Sequence, residues 1–133
     1  MEPCKLLIFV VDDEMSIVST LVTILEHEGY DVMPFTNPLA ALEAANFQAP
    51  DLLITDVVMT PLDGIEFAIR VKERHPNCKV LLLSGNPATS ELCEGARAKG
   101  LDFTLLPKPT HPTVLLKQIH SLIGVNPAEQ LQD

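Results

Sequence analysis

Five side chains in this sequence could do chemistry as a set: Asp12, Asp13, Asp56, Ser84 and Lys108. Each stands at or just beyond the end of an apolar run, where a buried strand would stop. Together they amount to three carboxylates, one hydroxyl and one ammonium. Three carboxylates within a few ångströms repel one another, and a hard divalent cation relieves that repulsion most directly. Oxygen ligands alone, with room left for water, suit Mg²⁺. The same cation binds a phosphate oxygen, Lys108 adds a point positive charge, and Ser84 can donate a hydrogen bond. Such a site is anionic at rest and able to hold a phosphoryl group once metal is bound. Asp56, between the other groups, is the candidate nucleophile and would form an acyl phosphate.

The elements that must position these groups alternate along the chain. Lys5–Val11 is a nearly unbroken apolar run, as expected of a strand buried on both faces. Ile17, Val18, Leu21, Val22, Ile24 and Leu25 follow at helical spacing, and Gly29 supplies the stop. Asp31–Phe35 predicts a second strand, after which Asn37 caps a helix with Pro38 at its first position. Asp51–Asp56 predicts a third strand, and Asp63 caps a helix carrying Ile65, Phe67, Ala68, Ile69 and Val71. Lys79–Leu83 predicts a fourth strand, and Asn86–Pro87 opens a helix that runs to about Lys99. Leu101–Leu106 predicts a fifth strand, and Thr110–Pro112 opens a last helix that ends at Gly124.

Five strands alternating with five helices imply a doubly wound α/β fold, a parallel sheet covered on both faces. Pro34 cannot donate to a ladder, so the second strand belongs at an edge. That suits the order 2-1-3-4-5, in which ligands bind beyond the carboxyl ends of the strands, between the first and third. The five chemical side chains fall on that edge.

The chain has 133 residues, enough for one domain. Hydrophobic residues make up 47%, charged residues 20%, and the mean hydropathy is +0.22, which argues against disorder. The net charge of −9 and a pI near 4.7 exclude non-specific binding to nucleic acid or anionic lipid, since no local basic patch compensates. Cys4, Cys78 and Cys93 lack the paired spacing of a disulfide or zinc framework and read as reduced thiols. Leu6–Val11 is too short to span a bilayer, and no signal peptide is legible, so a cytoplasmic protein is expected. His27, His75, His111 and His120 show no ligand spacing and read as surface or capping residues. Glu14 reads as a first-turn helix residue, and Met15, Met33 and Met59 as core or rim filler.

Val10–Glu14 (Val-Val-Asp-Asp-Glu), Pro50–Asp56 with Asp63–Gly64, Leu83–Ser84–Gly85 and Lys108–Pro109 occur in this order, each near a predicted strand end. In these pieces the chain resembles the receiver domain of two-component response regulators, of the stand-alone chemotaxis-regulator kind and flavodoxin-like in fold. The resemblance runs from about Lys5 to Gly124, so a receiver over residues 1–124 and a short polar tail over 125–133 are expected, with no output domain. It implies that Asp56 is phosphorylated. It makes Asp13, Asp56 and the main-chain carbonyl of Val58 direct Mg²⁺ ligands, with Asp12 acting through water. It gives Ser84 the role of the switch hydroxyl and Lys108 that of the phosphate-pairing lysine, with a Lys108–Pro109 bond that is typically cis. It implies a histidine kinase or histidine phosphotransfer protein as donor, docking around Met15–Leu25. Output would pass through the fourth helix, fifth strand and fifth helix to an unknown protein target.

The chain departs from the family pattern at three places. Thr60 stands where a proline is usual, with Pro61 one residue later. Leu105 takes the place of the switch aromatic, with Phe103 two residues earlier, and the stretch Gly100–Lys108 is one residue longer than usual. Val58 and Asn86 occupy positions that tune acyl-phosphate lifetime, and apolar Val58 points to slow self-hydrolysis. Two other classes compete: a Mg²⁺-dependent phosphohydrolase using an aspartyl phosphate, and a receiver-like binding module that is never phosphorylated. The hydrolase requires a second acid two residues after its nucleophile, where this chain has Val58.

Overall fold

A computed structural model describes residues 6–59, 62–85, 104–108 and 110–123 of the chain. The strands are β1 (Leu7–Val11), β2 (Asp31–Phe35), β3 (Leu52–Asp56), β4 (Lys79–Ser84) and β5 (Thr104–Pro107). They form one parallel sheet in the order β2-β1-β3-β4-β5. The helices are α1 (Met15–His27), α2 (Pro38–Ala45), α3 (Gly64–Arg74) and α4 (Pro112–Ile123).

Every residue of β1 and β3 is buried, which explains their unbroken apolar character: both faces of the central strands are covered. Side chains alternate between the faces. Phe9, Val11, Leu53, Val80 and Leu82 pack with Leu42, Phe67, Ala68 and Val71 on the face covered by α2 and α3. Ile8, Val10, Leu52, Ile54, Leu81 and Leu83 pack with Val18, Leu21, Leu25, Leu115 and Ile119 beneath α1 and α4. Strand β2 is the edge strand, with Pro34 opposite Val10, as its missing donor requires.

Local signals fix the helix ends. The Asn37 side chain accepts from Leu39 N–H, and the Asp63 side chain accepts from Glu66 N–H. Gly29, at φ 94°, adopts the left-handed conformation that ends α1 and turns the chain into β2. Glu14 occupies the N-cap position of α1 rather than its first turn and makes no side-chain cap. The capping interaction comes instead from Asp12, whose Oδ1 accepts from Glu14 N–H at 2.9 Å.

Strand bounds differ slightly from the sequence expectation. Strand β1 starts at Leu7, β4 extends through Ser84, and β5 covers Thr104–Pro107. The helix expected from Asn86–Pro87 to Lys99 lies outside the described residues. So do Cys4, Cys93, Thr60, Pro61, Phe103, Pro109 and the 125–133 tail. Cys78 is buried and free, and desolvation pushes its thiol up to about 11, consistent with an inert structural cysteine. Met33 and Met59 pack into the core, whereas Met15, expected as core or rim filler, is 62% exposed. Among the described residues, no helix is long and apolar enough to cross a membrane.

At the opposite edge from the five chemical groups, the strand starts are tied by side chains. Leu7 N–H donates to Asp51 Oδ2 at 2.8 Å, and Lys72 Nζ donates to the carbonyls of Pro76 and Cys78 at 3.0 and 2.7 Å. Removing the Asp51 acceptor strands a donor at the start of a fully buried strand. Asp51→Ala is expected to lower the unfolding free energy by roughly 1–3 kcal/mol without changing the far-ultraviolet circular dichroism. Urea unfolding checks this, and an unchanged midpoint would show that water replaces the carboxylate at no cost.

Candidate functional site

Strand β1 delivers Asp12 and Asp13, β3 ends in Asp56, β4 ends in Ser84, and β5 is followed by Lys108. Strands β1 and β3 are neighbours, with Val11 in register with Thr55. The main chain around these residues is held by the sheet and its extensions. Asp12 N–H donates to Phe35 O, Val57 N–H to Leu83 O, and Lys108 N–H to Ser84 O at 2.9 Å. The five groups therefore project from rigid strand ends rather than from long loops.

Asp12, Asp13 and Asp56 each offer a carboxylate oxygen within 4.8 Å of the others. Asp12 and Asp56 are buried, while Asp13 is exposed at the mouth of the cluster. Lys108 Nζ lies 2.9 Å from Asp12 Oδ2 and 3.2 Å from Asp56 Oδ2, so one ammonium bridges both buried carboxylates. Ser84 is buried on the same edge, its residue paired with Pro107 immediately before Lys108. The sequence thus identifies a set whose carboxylates and ammonium the fold brings into contact, with Ser84 beside them.

Three carboxylates against one ammonium leave the cluster with excess negative charge. Burial raises the Asp56 carboxyl above its ordinary value, and repulsion from Asp12 raises it further. The Lys108 ammonium and the Val58 main-chain N–H oppose this without reversing it. Burial alone would lower the Lys108 ammonium, but its hydrogen bond to Asp12 and the charges of Asp12 and Asp56 hold it above the usual lysine range. Lys108 is thus charged at neutral pH, and the charge of Asp56 is only partly balanced by it.

The donor set fits a hard cation. Its donors are all oxygens, they converge, and the lysine neutralises them only in part. The three aspartates could hold a metal ion, and among the described residues no other group of this kind occurs. Val58, named as a carbonyl ligand by the resemblance, lies two residues beyond Asp56 with its side chain 63% exposed. Asp63 is occupied as the cap of α3 and does not join the cluster. The histidines stay out as well: His27 is exposed in the last turn of α1, His75 follows α3 as its C-cap, and His111 Nδ1 accepts from Thr113 N–H. Leu105 is half-buried against the core on the α2–α3 side.

Two neighbours of Asp56 carry no chemical signal in the sequence. Thr55, fully buried, donates through Oγ1 to the carbonyl of Asp56 at 3.0 Å. Gly64, at the start of α3, packs its Cα so close to that carbonyl that a Cβ there would overlap Asp56 O. Beside the acidic cluster, a cleft of about 490 Å³ opens between α1 and α4, lined by Ile17, Leu21, Leu83 and Leu115, with Lys108 in its wall.

Comparison with known proteins agrees with this geometry. A family model described as the response regulator receiver domain matches residues 8–120. The response regulator receiver protein CpdR of Brucella abortus is 32% identical over 116 residues, covering 87% of this chain and 95% of that protein. The alkaline phosphatase synthesis transcriptional regulatory protein PhoP of Bacillus subtilis is 31% identical over 116 residues. There the match covers 87% of this chain but 48% of the relative, so the chain spans about half the length of such regulators. Among solved structures, the chemotaxis protein CheY4 of Vibrio cholerae aligns with a TM-score of 0.80 at 26% identity, covering 90% of this chain and 99% of that one.

The electrostatics predict opposite effects on either side of the ion pair. A carboxyl raised on folding destabilises the folded state as pH rises from the unfolded value towards the folded one, and the penalty is complete above both. Asp56→Asn removes that penalty, so the variant is expected to melt higher than wild type at pH 7 in metal-free buffer. The difference should vanish below the ordinary carboxyl value of 3.8, where both proteins carry a neutral group. Lys108→Ala leaves buried Asp12 unpaired and should cost on the order of 2 kcal/mol, less than a fully buried pair because Lys108 is 20% exposed. Melting curves of the three proteins between pH 3 and 8 check both signs; an Asp56→Asn variant less stable than wild type at pH 7 contradicts the charge assignment.

Proposed function

Because the chain belongs to the response regulator receiver domain family, we propose that it accepts a phosphoryl group on Asp56 from a phosphohistidine and signals through protein contacts. The observation that carries this reading is Lys108 bridging Asp12 and Asp56, with Asp13 completing an under-neutralised acidic cluster at the β1–β3 crevice. An Asp56 oxygen attacks phosphorus, the O–P bond forms, and the P–N bond of the donor imidazole breaks, its electron pair staying on the nitrogen. The chemistry needs alignment and charge neutralisation more than covalent assistance. Asp12, Asp13, Asp56 and the Val58 carbonyl would hold Mg²⁺, which supplies positive charge against the phosphoryl oxygens.

The chain's own residues have distinct tasks in this proposal. Lys108 turns from the Asp56 carboxylate to a phosphoryl oxygen, keeping its contact with Asp12 as a hinge. Ser84, at the end of β4, donates its hydroxyl to another phosphoryl oxygen and couples the modification to the edge formed by β4 and β5. Phosphorylation then favours one of two pre-existing arrangements rather than building a new one. The donor is a histidine kinase or histidine phosphotransfer protein that approaches over α1, where exposed Met15 and the cleft beside Lys108 offer apolar contact. Residues 1–124 act as one receiver unit in the cytoplasm, and 125–133 as a short tail. Self-dephosphorylation is slow because Val58, exposed and apolar, cannot orient an attacking water. The same residue leaves a phosphohydrolase without its second acid.

In Mg²⁺, wild type should take up one phosphoryl group from acetyl phosphate, or bind one beryllofluoride, while Asp56→Asn takes up neither. Intact-protein mass and fluorine resonance report the two. A folded wild type inert to both reagents would favour the binding module, and turnover of a small phosphate ester, lost in Asp56→Asn, would favour the hydrolase.

A further inference from the structure

The peptide that joins Asp56 to Val57 is fixed on every side. Its carbonyl, Asp56 O, accepts from the hydroxyl of Thr55, a side chain with no exposure. The same carbonyl lies against Gly64 Cα with no space for a Cβ; such an atom would also crowd the carbonyl carbon at 2.8 Å and Val57 Cα at 2.9 Å. The next groups along the chain are tied as well: Val57 N–H donates to Leu83 O at 3.1 Å, and Val57 O accepts from Gly64 N–H at 2.8 Å. Thr55 Oγ1 also touches Met59 Sδ at 3.9 Å, so one buried hydroxyl reaches both the Asp56 main chain and a side chain of the loop that follows β3.

A hydroxyl buried in an otherwise apolar core is costly unless it is hydrogen-bonded, and Thr55 finds its partner in Asp56 O. Here the bond does not extend the sheet ladder or cap a helix. It terminates on the main-chain carbonyl of Asp56, which lies between the Asp56 side chain and Val58 along the chain. We infer that Thr55 and Gly64 are positioning residues for the acceptor: the Thr55 hydroxyl and the bare Gly64 Cα clamp Asp56 O, and the clamp holds the Asp56 carboxylate and Val58 in cation-binding register. This rests on the phosphoacceptor reading above for the identity of the cation and on the geometry alone for the clamp. Groups that orient ligands without touching the metal commonly change metal affinity by tenfold or more when removed.

Two substitutions separate the hydroxyl from the packing. Thr55→Val keeps the shape and removes the donor; Thr55→Ser keeps the donor and removes a methyl. Titration calorimetry with Mg²⁺ is expected to show roughly tenfold weaker binding in Thr55→Val and near wild-type binding in Thr55→Ser, although the serine variant loses core packing and melts lower. Gly64→Ala should weaken Mg²⁺ binding at least as much; should it fail to fold, the threonine pair decides alone. Equal Mg²⁺ affinity in wild type and Thr55→Val, or weaker binding in Thr55→Ser than in Thr55→Val, overturns the clamp and makes Thr55 a packing residue. Wild type that binds neither Mg²⁺ nor beryllofluoride would instead overturn the phosphoacceptor reading.

Discussion

One ammonium shared between two buried carboxylates is the interaction on which the rest of this molecule turns. Lys108 comes from the far side of the sheet, after β5, yet its Nζ lies within hydrogen-bonding distance of Asp12 and near Asp56. Without it, two carboxylates would sit side by side in a poorly solvated crevice. With it, the arrangement is tolerable but incomplete, because Asp13 adds a third negative charge and burial still penalises ionised Asp56. The site is held short of neutrality by construction. A group that brings positive charge to the crevice relieves that imbalance, and in the function proposed above a phosphoryl group on Asp56 would be met by positive charge already in place.

That arrangement depends on a scaffold that does not yield. Strands β1, β3 and β4 are packed between two layers of helices, so their carboxyl ends are the least deformable places from which to present a side chain. Two site residues also maintain the scaffold. Asp12 starts α1 through its contact with Glu14 N–H while its other oxygen receives Lys108. The main chain at Asp56 is closed in by Thr55 and by the start of α3. Asp56 is thereby linked to β5 through Lys108, to α1 through the Asp12 carboxylate that shares Lys108, and to α3 through Gly64.

Most of the fold and the charged set of the site were legible in the residues, because the signals were local or periodic. Unbroken apolar runs marked the central strands, Asn37 and Asp63 marked helix starts, and Pro34 alone located the edge. The chemical groups were found because polar residues directly after buried strands have few places to go. What the sequence hid were contacts between residues whose types carry no signal. Thr55 lies unmarked within the third strand, and Gly64 enters only as part of the Asp63–Gly64 piece of the resemblance; the contacts of both with Asp56 O appear only in the structure. Asp51 reads as a strand boundary, but its carboxylate ties Leu7, 44 residues away. Met15 is exposed although it opens a clearly amphipathic helix, because it lies off the stripe buried through Val18, Leu21 and Leu25.

The most direct test of the under-neutralised crevice is the melting temperature as a function of free Mg²⁺ at constant ionic strength. A cation that binds the folded crevice and not the unfolded chain raises stability in proportion to the logarithm of its concentration once above its dissociation constant. Such a rise is expected for wild type, and its loss when Asp13 and Asp56 are both replaced by Asn. A melting temperature indifferent to Mg²⁺ in wild type would contradict it, showing that Lys108 alone satisfies the carboxylates.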